Sequence, residues 1–280
     1  MNKYTVLYNP YSGNCHGEIY AHNLDIILKD CELDYVSMPT IKDFKKFLKN
    51  RKEIIICGGD GTINYFISHT IDIKYSNRIF YYSTGTGNDF HNDVGNKVEI
   101  PYEINKYLEK LPVVTVKGQE YATINGVGFG LDGWCCAEGN IEKQKTGKPI
   151  NYAKIALRGL RGAFKPRNAH VCVDGKEFDF KKVWMASCMN GRYFGGGMKI
   201  APNQDRLNME RKVSVVIVSG ASRLKLLALF PRIFKGTHIK NKAVTIIKGH
   251  NVDIYYDEPC ALQIDGEVIL GVKKYSVKSK

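Results

Sequence analysis

The stretch that decides the fold is Ile54-Ile55-Ile56-Cys57-Gly58-Gly59-Asp60-Gly61-Thr62-Ile63-Asn64. Its four leading apolar residues show no polar alternation, which suits a strand covered on both faces, as in a parallel sheet flanked by helices. The strand runs straight into Gly58, Gly59 and Gly61, which let main chain come close to a ligand. A helix is expected to start at Thr62, and a helix start offers unsatisfied N–H groups to an anion. The combination fits a polyphosphate. Asp60 beside phosphates makes sense if a metal lies between them or if the carboxylate orients a donor. No Walker loop, G-x-x-x-x-G-K-[ST], occurs anywhere in the chain.

Working outward, the first 115 or so residues alternate strand and helix. Lys3 to Tyr8 is a short apolar strand that ends at Asn9-Pro10-Tyr11-Ser12-Gly13, a turn by composition. Residues 17 to 29 carry apolar positions at helical spacing. Asp34 to Met38 reads as a strand, Ile41 to Leu48 as a helix, and Arg78 to Tyr82 as another strand. This order predicts a mostly parallel α/β sheet. Thr84-Gly85-Thr86-Gly87-Asn88-Asp89-Phe90 is a second loop of small residues at a strand's carboxyl end, where open α/β sheets bind ligands. Thr86 can donate to a phosphate or ribose oxygen, and Asp89 can cap a helix or face the site. Asn9 to Gly13 would face the same crevice.

From about residue 116 strand-like segments dominate: Glu120 to Val127, Ala169 to Val173, Lys182 to Asn190, Lys212 to Val218, Ala243 to Lys248, Val252 to Tyr256 and Ala261 to Ile264. That texture predicts a C-terminal β-sandwich or barrel-like domain. Helical stretches interrupt it near Tyr152 to Phe164 and Ser222 to Phe234. The expected domains are 1–115 and 116–280, with the last residues able to return to the first. No linker rich in Pro, Gly or Ser separates them, so close packing around a cleft is expected. Late in the chain, Gln263-Ile264-Asp265-Gly266-Glu267 brackets a glycine with two carboxylates. Either could take the proton of an alcohol. A plain Asp-Gly hairpin turn is the competing reading.

The chain has 280 residues, 44% hydrophobic and 25% charged, a globular balance. Lys and Arg number 41 against 28 Asp and Glu, a formal charge of +13, so polyanions are natural partners. No recognised basic-aromatic nucleic-acid module occurs, and nucleic acid is not expected. Met1 to Asn9 goes directly into a strand pattern and is no signal peptide. No run of 18 apolar residues is present. The eight cysteines lack zinc spacing and read as buried free thiols. A cytoplasmic location is expected.

These residues resemble the bacterial diacylglycerol kinase and sphingosine kinase catalytic-domain family of lipid kinases. The matching pieces, in family order, are Asn9 to Gly13, Gly58 to Asn64, Gly85 to Phe90, Asn125 to Asp132, Met189-Asn190 with Gly195 to Met198, Ala201-Pro202, and Gln263 to Glu267. The Gly-Gly-Asp-Gly-Thr turn is shared with NAD kinases and resembles phosphofructokinases. The resemblance implies an N-terminal nucleotide-binding domain of that type, a C-terminal β-sandwich domain, and a site in the cleft. It implies ATP and Mg2+, with diacylglycerol or a related lipid as acceptor. By analogy the nucleotide would be met by Asn9, Ser12, Gly13, Gly58, Gly59, Asp60, Gly61, Thr62, Asn64, Thr86, Asn88 and Asp89. Glu267, or else Asp265, would be the catalytic base, with Asp60 beside the phosphates.

Two departures stand out. Relatives carry an Asp-Gly after the Ala-Pro, in a loop that holds a structural magnesium. Here that position reads Asn208-Met209, flanked by Arg206, Arg211 and Lys212. The metal candidates are therefore Asp60, Asp205 and Asn208, with Glu210 able to compensate, and the second metal is in question. His91-Asn92-Asp93 also replaces a usual Ala-Arg pair. A lipid substrate implies peripheral contact with an anionic membrane. Candidate segments are Arg223 to Lys235, which contains Pro231, and the cluster Arg158, Arg161, Lys165 and Arg167 around Phe164. The alternatives are an NAD kinase-like small-molecule kinase and a basic nucleic-acid-binding protein.

Overall fold

A computed structural model describes residues 2–85, 87–95, 100–147 and 150–279, the side chain of Asn14 excepted. The chain divides into two units, residues 1–109 and 110–280. In the first, strands β1 (Lys3–Tyr8), β2 (Glu32–Ser37), β3 (Glu53–Gly58) and β4 (Arg78–Ser83) are parallel, and β5 (Tyr102–Glu103) is antiparallel. Their order is β2-β1-β3-β4-β5. Three short helices, α1 (Ser12–Cys15), α2 (Gly17–Ala21) and α3 (Leu24–Ile27), lie between β1 and β2. Helix α4 (Phe44–Lys49) precedes β3, α5 (Asp60–Thr70) follows it, and α6 (Asp89–Val94) and α7 (Asn105–Leu108) come after β4.

Ile54 to Cys57 are buried, as the unbroken apolar run requires. Val6, Ile55 and Cys57 pack with Ala21 and Leu24 on one face, in a cluster that Tyr82 completes. Because β1 lies between β2 and β3, the direction in which successive strands are added reverses there. The carboxyl ends of β1, β3 and β4 are neighbours, with Tyr8 opposite Cys57 and Gly58 opposite Ser83. Such a switch point is where open α/β sheets bind ligands.

Some expected boundaries move. The helix expected over residues 17–29 is broken into α2 and α3; Leu24, Ile27 and Leu28 of its apolar spacing pack on the core, while Ile19 is 63% exposed. The helix expected from Ile41 starts at Phe44, because the Asp43 carboxylate caps it by accepting the Lys46 N–H at 2.9 Å. Helix α5 starts at Asp60, two residues before the expected Thr62.

The second unit holds β6 (Val113–Val116), β7 (Gln119–Ala122), β8 (Gly126–Gly130), β9 (Arg167–Val173), β10 (Lys176–Met189), β11 (Val213–Ser219), β12 (Val244–Gly249), β13 (Asn251–Ile264) and β14 (Glu267–Lys278). Its main path is β12-β11-β10-β8-β13-β14-β6-β7, all antiparallel. Strand β9 pairs with the first halves of β10 and β13, while β8 pairs with their second halves. The long strands pass through register shifts between these two pairings, which lets the sheet bend around its core. That core includes Val127, Phe129, Val171, Ile217, Ile254 and Tyr275. A second cluster joins α9 (Tyr152–Arg158) and α10 (Arg223–Phe234) to the sheet through Ile155, Trp184, Met185, Leu226, Leu229 and Phe230. Helix α8 (Leu131–Thr146) springs directly from β8.

The unit boundary falls after Glu109 rather than near residue 115, because β6 pairs with β14 and belongs to the second sheet. The last strand, β14, lies in that sheet between β13 and β6. The strand expected over Glu120 to Val127 is two strands, interrupted at Thr123 to Asn125. Helix α10 runs through Pro231, which is exposed, and is capped by Ser222. Of the cysteines, only Cys57, Cys135 and Cys188 are fully buried, and Cys15 is exposed. Among the described residues no helix is long and apolar enough to cross a membrane.

Candidate functional site

In the first unit the loops after β3 and β4 pack main chain against main chain. A Cβ on Gly85 would lie 2.6 Å from the Gly59 Cα, and one on Gly58 would lie 2.2 Å from Thr62 Oγ1. The Thr84 N–H and the Tyr81 hydroxyl both donate to the Gly58 carbonyl at 2.9 Å. Gly61 differs: a Cβ there would meet nothing within 4 Å. Glycine in a helix costs about 0.5–1 kcal/mol relative to alanine, and among the described residues no neighbour requires it here. The space beside Gly61, at the start of α5, is open to a ligand. Close by, Asn88 Oδ1 is buried without a hydrogen-bond partner among the described residues, while Asn88 Nδ2 donates to the Gly85 carbonyl at 2.6 Å.

Asp60 has a task that its sequence position does not reveal. Its two carboxylate oxygens accept the N–H groups of Asp89 and Phe90, each at 2.8 Å. The residue expected beside the phosphates thus ties the first turn of α6 to the start of α5. Asn9 and Ser12 likewise serve their own turn. Asn9 Oδ1 accepts the Tyr11 N–H at 3.0 Å, and Ser12 Oγ donates to the Asn9 carbonyl at 2.7 Å. Gly13 takes φ +54°. Asp89 is buried and Asn64 half-buried. Thr86 lies outside the described residues.

In the second unit the two late carboxylates separate. Asp265 and Gly266, both at positive φ, form the two-residue turn between β13 and β14, as an Asp-Gly hairpin does. The Asp265 carboxylate turns inward. It accepts the N–H groups of Ile124 (2.7 Å), Asn125 (2.8 Å) and Gly126 (2.9 Å) and the Thr123 hydroxyl (2.9 Å). These donors are the ones missing from the β7–β8 pattern. Burial pushes the Asp265 carboxyl up, and the four donors oppose that. A carboxylate so engaged is badly placed to collect a proton. Glu267 is exposed, and among the described residues no hydrogen bond or ion pair holds it. Its charge contributes, after burial, to raising the Cys136 thiol and the Tyr152 phenol, both pushed up to about 12.

The sequence motif Asn125 to Asp132 hides a further acid. Asp132 is buried at the start of α8, where Oδ2 accepts the Ser187 hydroxyl at 2.6 Å and Oδ1 accepts the Gly133 N–H at 2.9 Å. The Gln263 side chain also hydrogen-bonds it, and Gln263 Oε1 accepts the Gly266 N–H at 2.9 Å. Burial pushes the Asp132 carboxyl up to about 6, against those donors. The sequence signal for this residue was its position after Gly-Phe-Gly at a strand end.

The metal candidates are Asp60 in the first unit and Asp205 and Asn208 in the second. Among the described residues no three His, Cys, Asp or Glu side chains group to hold an ion. In the loop after Ala201-Pro202, Asn208 Nδ2 donates to the Asp205 and Lys212 carbonyls at 2.6 and 3.1 Å, and Asn208 Oδ1 accepts the Lys212 N–H at 2.9 Å. Asp205 Oδ1 accepts the Leu207 N–H, and Glu210 pairs with Lys212 at 3.0 Å. Asp205 Oδ1 and Asn208 Oδ1 already face N–H donors and Glu210 faces an ammonium, so these residues do not fit a magnesium ion.

Two outcomes follow from this geometry. Asp60→Ala strands two main-chain donors of α6 and should lower stability by about 1–3 kcal/mol, read as a lower urea midpoint. For Asp132, the folded-state value lies above that of the unfolded chain. The folded state therefore keeps the extra proton between about pH 4 and 6, and stability falls as pH rises through that window. The loss amounts to about 3 kcal/mol. Urea midpoints across pH 4–7 should show this slope in the wild type and a flatter one in Asp132→Asn.

Comparison with known proteins agrees with the architecture. The family model described as the diacylglycerol kinase catalytic domain matches residues 3–116. The one described as the YegS C-terminal NAD kinase beta sandwich-like domain matches residues 125–275. The chain is 25% identical over 252 residues to the Bacillus subtilis (strain 168) protein named "Putative lipid kinase YtlR", covering 82% of this chain and 77% of that one. It is 24% identical over 292 residues to a diacylglycerol kinase of Mycobacterium tuberculosis, covering 96% and 92%. A solved structure titled "Crystal structure of a putative diacylglycerol kinase from Bacillus anthracis str. Sterne" superposes with TM-score 0.72 at 18% identity, over 100% of this chain and 92% of that one. With an α/β unit and a β-rich unit that each match their own model, the chain belongs to the diacylglycerol kinase catalytic-domain family of lipid kinases.

Proposed function

We propose that this chain is an ATP-dependent kinase that phosphorylates the hydroxyl of diacylglycerol or a related lipid. The observation that carries the nucleotide half is the open space beside Gly61. It lies at the N-terminal end of α5, where β3 ends beside β1 and β4. Main-chain N–H groups at such an end favour a phosphate. The lipid half is supported by family membership and by the names of the relatives.

Within this reading, the Gly59 to Thr62 main chain seats the phosphates. Asp60 acts through α6, holding the Gly85 to Phe90 loop against that seat. Magnesium, arriving with the nucleotide, would neutralise phosphate charge, held mainly by the phosphates and water. The lipid oxygen bonds the γ-phosphorus as the bond to the bridging oxygen breaks, and ADP leaves with that electron pair. Glu267 receives the hydroxyl proton, since Asp265 is occupied by main-chain donors. Glu267→Gln should lower kcat by roughly 10²–10⁴ with little change in KM. The measurement is labelled ATP with diacylglycerol in mixed micelles, and with NAD as the competing acceptor. Wild-type turnover in that variant would remove Glu267, and transfer to NAD alone would remove the lipid.

For the membrane, α10 is the better of the two expected segments. Leu226, Leu229 and Phe230 face the core, which leaves Leu224 80% exposed beside the exposed Lys225, Arg232 and Lys235. In the other segment Arg158, Arg161 and Lys165 are exposed as well, but fewer of its groups are available. Phe164 is buried, and Arg158 pairs with Glu138 at 2.8 Å. Replacing Lys225, Arg232 and Lys235 by Glu should weaken flotation with phosphatidylglycerol vesicles, at about 1 kcal/mol per cation. Equal binding of the wild type to neutral phosphatidylcholine vesicles would exclude an electrostatic contact.

A further inference from the structure

The loop that fails to fit a divalent ion contains a cation of its own. Arg206 is only 6% exposed. Its Nη1 donates to the Ile124 carbonyl, and its Nη2 donates to Asn125 Oδ1 at 2.6 Å. Asn190 Nδ2 donates to the same Ile124 carbonyl at 2.9 Å. The other end of that peptide unit is the Asn125 N–H, which donates to the Asp265 carboxylate at 2.8 Å. A single peptide, Ile124–Asn125, therefore lies between a buried guanidinium at its oxygen and a carboxylate at its nitrogen. Its dipole is aligned with both charges, so each charge stabilises the peptide polarisation that the other requires.

We infer that Arg206 is the built-in structural cation of the second unit. The guanidinium, with the amide donors of Gln204 and Asn208, does the work of an ion in the loop of residues 201–212. Through the Ile124–Asn125 peptide it forms a relayed ion pair with Asp265. The amides close the loop itself: Gln204 Nε2 donates to the Lys212 carbonyl at 3.0 Å, beside the Asn208 bonds. Arg206 then ties the loop to the segment between β7 and β8. Where relatives place glycine, Met209 is fully exposed and makes no demand on the loop. A planar, permanently charged fork suits two acceptors at fixed positions, whereas the compact ammonium of lysine does not.

The test uses the full chain without nucleotide. A magnesium ion held at a hundredfold over its Kd would raise the melting temperature by roughly 5–10 °C. The inference expects the same melting temperature in millimolar magnesium chloride and in EDTA. Magnesium-dependent stabilisation of the wild type would overturn it. Arg206→Met should lower the melting temperature by roughly 10 °C, with Arg206→Lys restoring only part. A variant as stable as the wild type would also overturn it. Asp265→Asn should cost less in the Arg206→Met background than alone, because the two charges act through one peptide. Additive losses would reject the relay. Should Arg206→Met fail to fold, the wild-type comparison in magnesium and EDTA still decides, together with Arg206→Lys.

Discussion

The second unit is organised around one carboxylate gathering main-chain N–H groups. Asp265 takes three in succession, from Ile124, Asn125 and Gly126, together with the Thr123 hydroxyl. Those groups belong to the stretch where β7 gives way to β8, and no neighbouring strand pairs with them. Left unpaired inside a protein, each would cost about 1–3 kcal/mol. The interruption of the strand pattern and the inward turn of Asp265 are thus one event. The hairpin that carries Asp265 is fixed to the start of β8, and β8 leads directly into α8.

The first unit uses the same device on a smaller scale. Asp60 opens α5 and reaches across to the first two N–H groups of α6. Helix α6 has only six residues, too few to hold its own ends without outside partners. The carboxylate also brings together two glycine-bearing loops whose main chains touch at Gly59 and Gly85. In both units an acid at the centre of a recognisable motif builds the frame. Glu267, two residues from Asp265, is left exposed, and Gly61, next to Asp60, borders open space.

Much of the architecture was legible because it rests on local periodicity. The apolar run Ile54 to Cys57 requires cover on both faces, and it is buried in a parallel sheet. The strand-rich second half reads as β structure for the same reason. What misled was propensity without partners. Apolar spacing over residues 17–29 suggested one helix, yet Ile19 faces outward and the segment forms two short helices. By contrast, the helix expected over Ser222 to Phe234 is α10, which runs through Pro231 with its buried face anchored by Leu226, Leu229 and Phe230. In the basic cluster around Phe164 the ring is buried while Arg158, Arg161 and Lys165 are exposed, a division that the sequence did not reveal.

The sequence by itself determined where the motifs stand: glycine turns at strand ends, an Asp-Gly hairpin, and a loop after Ala201-Pro202 that carries Asn208-Met209. These are short-range facts, set by residue type and spacing. Tertiary structure alone decided which way Asp60 and Asp265 point, because that depends on donors 29 to 142 residues away. It sent Asp60 to α6, Asp265 to the β7–β8 junction and Arg206 to the Ile124 carbonyl. A side chain's partner is chosen by the free energy of satisfying buried main-chain groups, and chain order does not record where those groups will be.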